Sequence, residues 1–282
     1  MMNNAMRAEI LVQALPYIQK YAGKTVVVKF GGHAMVSSEL CDAVMCDITL
    51  LTQVGVRVVL VHGGGPEISE MLGRVNKTSE FVNGMRVTDA ETMEIAQMVL
   101  CGKINKNLVA QMHRAGGRAI GLCGVDGHMI EVKCMNPELG FVGEVTKVDP
   151  RPINDVLDRG YIPVVSTVGS DAEGNTYNVN ADVAAGAIAA ALDAESLVAM
   201  TDIAGILRDK DDPSSLIKLI HVEDAPKMIA DGILTGGMIP KVESCCKAVH
   251  AGVKKVFVID GRVKHAILIE LLTDEGLGTM FQ

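Results

Sequence analysis

TVVVKFGG (residues 25–32) and VRVVLVHGGGP (residues 56–66) decide how this chain is read. Each is a run of β-branched residues ending in glycines, the pattern of a buried strand passing into a tight turn. Between them, Leu40, Val44, Ile48 and Leu51 recur at helical spacing within residues 38–54. Working outward, residues 90–112 read as one long helix and 119–122 and 162–165 as strands. Residues 180–191 read as an Ala-rich helix, 196–200 as a strand, 241–251 as a helix and 255–259 as a strand. This alternation predicts an α/β fold with a mainly parallel central sheet flanked by helices. Residues 122–177 break the rhythm with short strands and Gly, Pro and Asp turns, so hairpins over one end of the sheet are expected there. The motifs below place a division near Asp193, into residues 1–193 and 194–282.

The chain has 282 residues, 49% of them hydrophobic, enough for a sizeable core and against whole-chain disorder. Lys and Arg number 26 and Asp and Glu 34, so the net charge is 26 − 34 = −8, which argues against a nucleic-acid partner. Aromatics at 3% and the lack of Trp argue against base-stacking platforms. No apolar run has the length of a membrane span. Met6, Ile10, Leu11, Ala14, Leu15 and Ile18 form a helical stripe interrupted by Glu9, unlike a signal-peptide core. The expectation is a soluble, cytoplasmic protein with no membrane partner. Seven cysteines, an odd number with no CxxC, predict reduced and mostly buried thiols. Adjacent Cys245 and Cys246 read as small apolar helix residues, with a redox pair as the alternative.

Two nucleotide-loop lookalikes fail. Gly23-Lys24-Thr25 lacks the upstream glycine of a P-loop, since position 18 is Ile18, and a strand follows it. Gly63-Gly64-Gly65-Pro66-Glu67-Ile68-Ser69 lacks the last glycine of a dinucleotide loop. What remains is a set of glycine-rich strand ends, where backbone N–H groups can approach an anion. Lys29 is a charge within an apolar strand and suits a ligand-facing strand end; the alternative is an edge-strand lysine in solvent. Lys241 follows Thr235-Gly236-Gly237 at a helix start, where the helix dipole opposes a cation and bound phosphate would offset it. Asn180 suits the cap of the Ala-rich helix, leaving Asn178 outside it, with Asp182 in the first turn. Thr201-Asp202-Ile203-Ala204-Gly205-Ile206-Leu207 is a further strand-end loop.

VVVKFGG, VLVHGGGP, NGMRVTD, CGKIN, GYIPVVS, YNVNAD, TDIAGIL and TGGMIPKVE occur in that order between Lys24 and Glu243. Together they resemble the amino-acid kinase family, most closely its acetylglutamate kinases, and the C-terminal TDEGLGTM extends the likeness. One departure is His33, where relatives often carry a smaller or uncharged polar residue. The resemblance implies a three-layer αβα sandwich that phosphorylates the side-chain carboxylate of N-acetyl-L-glutamate with ATP, a step of arginine biosynthesis. It implies catalytic roles for Lys29, Lys241 and Asp182, and acceptor binding by Gly64, Gly65, Arg86 and Asn178. It further implies phosphate-binding backbone at Gly31, Gly32 and Gly64, and nucleotide binding by Thr201, Asp202, Gly205, Leu207 and Lys241. Mg²⁺ is expected on ATP, with no dedicated protein metal site. Residues 1–193 would then hold the extension helix, the acceptor site and the oligomer contacts, and 194–282 the ATP site.

Carbamate kinase, aspartokinase and glutamate 5-kinase activities remain as alternatives within the family. A sensor that has lost transfer is a further one, against which stands the joint presence of Lys29, Lys241 and Asp182. Pro16 is expected to kink the N-terminal helix, whose stripe would pack on another subunit, with packing on its own domain as the alternative. The extension resembles that of arginine-inhibited, hexameric relatives. On that likeness, arginine would contact Tyr17, His265, Glu275 and Gly278.

Overall fold

The computed structural model describes residues 4–32, 35, 37–82, 84–209, 212–234 and 238–282. His33, Asn83 and Thr235-Gly236-Gly237 of the motifs above lie outside the described residues. The N-terminal segment forms α1 (Asn4–Gln13) and α2 (Leu15–Tyr21), followed by β1 (Thr25–Phe30), α3 (Ser38–Gln53) and β2 (Arg57–His62). After α4 (Gly65–Arg74) come the short pair β3 (Phe81–Val82) and β4 (Met85–Arg86), then α5 (Ala90–Gln97), a π-helical turn at Met98–Ile104, and α6 (Asn105–Arg114). Next are β5 (Ala119–Cys123), β6 (Ile130–Cys134), β7 (Gly143–Val148), α7 (Arg151–Asp158), β8 (Ile162–Ser166), β9 (Val168–Ser170) and β10 (Thr176–Asn178). The remainder runs α8 (Ala181–Ala191), β11 (Ser196–Thr201), β12 (Leu219–Ile220), α9 (Ala225–Ala230), α10 (Met238–His250), β13 (Val256–Asp260), α11 (Ala266–Leu272) and β14 (Thr279–Phe281).

Eight strands make the main sheet, in the order β12-β14-β13-β11-β1-β2-β8-β5. The six from β13 to β5 run parallel, and β14 is antiparallel to β13. Alternation along β1 assigns its two faces. Val26, Val28 and Phe30 join one core with α3, α5, α6 and α11, while Val27 joins the other with α7, α8 and α10. The result is the αβα layering expected from the β–α alternation. Lys29 shares the face of Val27, so it points toward the layer that carries α8 and α10. Ala184, Ala185 and Ala189 of α8 are fully buried, and short side chains let that helix lie close on the sheet. A second sheet, β10-β9-β6-β7, covers α8 from outside.

Four expectations change in detail. Residues 90–112 do not form one regular helix, because an i→i+5 turn at Met98–Ile104 interrupts it and turns Leu100 and Ile104 toward Gly64. The N-terminal segment breaks at Ala14 into two helices, and Pro16 sits in the first turn of α2, where its missing N–H costs no helical bond. Within 122–177 the hairpins are joined by α7 and the main-sheet strand β8. The thiols are not mostly buried: Cys41 and Cys245 are, Cys101, Cys123 and Cys246 are half-buried, and Cys46 and Cys134 are exposed. No helix among the described residues is long and apolar enough to cross a membrane.

Candidate active site

Chain order reverses direction between β11 and β1, the place in an open parallel sheet where strand ends leave a crevice. Lys29 lies beside Ala199 of β11 and Val61 of β2 at that crevice. Its Nζ is 3.0 Å from Asp182 Oδ1 in the first turn of α8; the lysine side chain is 12% exposed and the carboxylate 37%. Asn180 caps this helix by accepting from the N–H groups of Asp182 and Val183, at 2.9 and 3.2 Å. The cap fixes the turn that aims Asp182. Lys241, in the first turn of α10, donates to Thr201 Oγ1 at 3.1 Å, and Asp182 acts on it through charge. Burial raises the Asp182 carboxyl's pKa, but the attraction of Lys29 and Lys241 outweighs it and holds the group below the usual carboxylate value. Burial lowers the Lys241 ammonium's pKa against the pull of Asp182. The sequence placed this acid between two lysines; the structure brings all three together and adds Thr201.

Beside the triad is a cavity of about 210 Å³, lined by Gly63, Gly64, Gly65, Phe81, Arg86, Leu100, Thr167, Asn178, Asn180 and Ala181, among others. The N-termini of α4 and α8 both open into it, an arrangement that favours an anion. Gly64 has no room for a side chain, because an added Cβ would sit 2.1 Å from Ile104 Cδ1 and 2.9 Å from Leu100 Cδ2. Arg86 is 7% exposed and donates to Gly65 O and Ser69 Oγ at 2.8 Å each, and to Ser79 Oγ. Phe81 stacks under its guanidinium, 4.7 Å from ring centroid to Cζ. Three of its five N–H donors are thereby engaged, which fixes the plane of the fork and leaves two for a ligand. Asn178 is held by its N–H bond to Phe141 O at 2.9 Å, and its residue lines the same cavity.

Beneath the glycine loop lies His62, fully buried. Its Nδ1 is 2.9 Å from Gly63 O and its Nε2 is 3.2 Å from Asn105 Nδ2. A carbonyl only accepts, so Nδ1 carries the proton and Nε2 accepts from the Asn105 amide. Burial pushes the ring's pKa down to about 4, against the Gly63 bond, so the imidazole is neutral near pH 7. Sequence reasoning missed His62, Asn105, Phe81 and Thr167. For Thr167 a signal existed: it follows GYIPVVS, at the carboxyl end of a parallel strand.

On the β11 side, Gly32 adopts φ +67°, and an added Cβ would lie 2.6 Å from Asp202 Oδ1, so the Gly31-Gly32 turn and the Thr201-Asp202 turn abut. Gly205 and Leu207 follow in the same loop, Leu207 bridging to Leu216. The four residues read as an arginine site divide into two places. Asp274, just past the C-terminal end of α11, raises the pKa of the Tyr17 phenol; Glu275 O accepts from Lys218 Nζ at 3.4 Å, and the Gly278 N–H donates to Glu270 Oε2 at 3.0 Å. His265 sits at the other end of α11, about 10 Å away along a seven-residue helix. Its Nδ1 is engaged with buried Asp47 Oδ1 at 2.6 Å. The sequence reading missed Asp47, Glu270 and Asp274.

Residues 24–260 match the amino acid kinase family. An acetylglutamate kinase of Moorella thermoacetica is 55% identical over 282 residues, covering 96% of this chain and 95% of its own. An N-acetylglutamate synthase of Neisseria gonorrhoeae, solved with coenzyme A and N-acetyl-glutamate, superposes with TM-score 0.84 at 25% identity, covering 97% of this chain and 63% of the synthase. Carbamate kinase of Giardia lamblia, bound to AMP-PNP, shares the fold with TM-score 0.66 at 16% identity, covering 93% of this chain and 99% of its own.

Proposed function

The chain belongs to the amino acid kinase family, with acetylglutamate kinases among its relatives, and on that premise we propose that it transfers the γ-phosphoryl group of ATP to the side-chain carboxylate of N-acetyl-L-glutamate, a step of arginine biosynthesis. The observation that carries this reading is the Lys29–Asp182–Lys241 cluster beside a cavity that holds a fixed guanidinium. A glutamate carboxyl has an ordinary pKa of ~4.3 and is already a nucleophile at neutral pH, so the site needs charge and positioning rather than a base.

Lys29 and Lys241 neutralise the transferring phosphoryl group while Asp182 keeps their ammonium groups in place. Backbone N–H groups at Gly31, Gly32 and Gly64 cradle its oxygens. Gly64, Gly65, Arg86 and Asn178 hold the acceptor, Arg86 through its α-carboxylate and Asn178 through its acetamido group. Thr201, Asp202, Gly205, Leu207 and Lys241 serve the nucleotide. Among the described residues no three His, Cys, Asp or Glu side chains converge, and the donors present suit phosphate. Mg²⁺ would arrive on the phosphate oxygens of ATP and add charge stabilisation there.

In this reading the acceptor half is residues 1–193 and the nucleotide half 194–282, meeting where β1 pairs with β11. The protein works in the cytoplasm as a homo-oligomer, a hexamer, inhibited by arginine. Exposure of Met6, Ile10, Leu11, Val12 and Leu15 along α1 and the start of α2 supports an intersubunit role for that stripe. Tyr17, Glu275 and Gly278 gather at one end of α11, where arginine would bind, with His265 contributing from the other end. The test is ADP release from Mg-ATP with N-acetylglutamate, glutamate, aspartate and carbamate offered separately. N-acetylglutamate alone should support turnover; preference for another acceptor would reassign the reaction within the family.

A further inference from the structure

Cys101 and Cys123 stand where the π-helical turn crosses the end of β5. Cys101 Sγ lies 3.3 Å from Ser166 Oγ, and Cys123 is the cross-strand neighbour of Ser166, so both thiols flank one serine on the same face of the sheet. Each thiol acts on the other's pKa, and both residues are half-buried, within reach of a small oxidant. The residues next to them belong to the cavity: Leu100 precedes Cys101 and Thr167 follows Ser166.

We propose that Cys101 and Cys123 are a peroxide-sensitive dithiol whose oxidation to a disulfide narrows the acceptor cavity. Cys123 is the attacking sulfur. Interaction with the Cys101 thiol holds its pKa below the usual thiol value despite the opposing effect of burial, whereas the Cys101 thiol is pushed up. In the first step the Cys123 thiolate attacks one oxygen of hydrogen peroxide. The O–O bond breaks, hydroxide leaves and takes a proton, and a sulfenic acid remains. In the second step Cys101 gives up its proton and its sulfur attacks Cys123 Sγ. The S–O bond breaks and the hydroxyl leaves as water. Two thiols and one peroxide thus give one disulfide and two waters. The bond draws the π-turn toward β5 and carries Leu100, which packs against Gly64, with it.

The kinetic consequence rests on the acceptor-site reading above; the chemical one does not. Wild-type protein treated with hydrogen peroxide, alkylated and digested with trypsin without reductant should yield peptide 87–103 joined to 119–133, two hydrogens lighter than their sum. That species should form before exposed Cys46 and Cys134 are consumed, and dithiothreitol should remove it. The KM for N-acetylglutamate should rise several-fold in step with it and recover on reduction. Cys101→Ala and Cys123→Ala should keep the untreated KM and lose its response to peroxide. Oxidation confined to Cys46 and Cys134, or Cys123 passing to sulfinic acid without a cross-link, would overturn the proposal. A cross-link that leaves KM unchanged would overturn the narrowing. The cross-link is read by mass, so a chain inactive on N-acetylglutamate still passes or fails it.

Discussion

Lys29 Nζ sits 3.0 Å from Asp182 Oδ1, the two joined across the gap between the end of β1 and the start of α8. Partial burial of the lysine makes the pair more than a surface ion pair, and both residues line a small cavity with Lys241 and Ala199 of β11.

Lys29→Ala and Lys241→Ala should each lower kcat by roughly 10²–10³, the usual loss when a preorganised transition-state contact is removed. The KM for N-acetylglutamate should move much less. Steady-state kinetics on variants shown to be folded by circular dichroism check this; near-normal turnover in either would reject the assignment.

Arg86→Lys retains the charge but cannot reproduce bonds to Gly65 O, Ser69 and Ser79 from one planar group. The KM for N-acetylglutamate should therefore rise by at least tenfold, while that for ATP changes little. Equal changes in both would mark Arg86 as a structural strut for the loop that carries it.

His62 gives a pH signature. Its folded-state pKa of about 4 lies below the ordinary histidine value, so the unfolded chain binds more protons between about 6.5 and 4. This group's contribution to stability is therefore present above that window and is lost as pH falls through it. His62→Gln should be less stable than wild type at pH 8, with the gap closing toward pH 5. Urea unfolding across that range measures it, and parallel profiles would contradict the buried neutral ring.

Deleting residues 1–22 should give smaller assemblies by light scattering and weaken arginine inhibition, leaving catalysis largely intact. The deletion removes the exposed stripe on α1 and the Tyr17–Asp274 contact together. An unchanged hexamer, or full-length protein indifferent to arginine, would defeat this part of the reading.

Much of the architecture was legible because strand and helix periods differ. VVVKFGG and VRVVLVHGGGP read as strands that end in loops, and both do. The Asn180 cap and the place of Asp182 were also legible, since both are local to one helix start. What escaped depends on long-range contact. The ring of His265 is engaged by Asp47, far away in sequence, and Lys241 by Thr201 on another element. The π-turn at Met98–Ile104 escaped for a different reason: one extra residue per turn barely disturbs an apolar helical pattern, yet it reorients every side chain that follows. That shift places Leu100 and Ile104 against Gly64 and Asn105 against His62.

Hydroxylamine trapping tests the central claim most directly. Added during turnover with Mg-ATP and N-acetyl-L-glutamate, it should convert an acyl phosphate into the side-chain hydroxamate, one for each ADP released. Lys29→Ala should form it roughly 10²–10³ more slowly under the same conditions. ADP release without hydroxamate, or equal rates in the two proteins, would contradict phosphoryl transfer to that carboxylate at the Lys29–Asp182–Lys241 site.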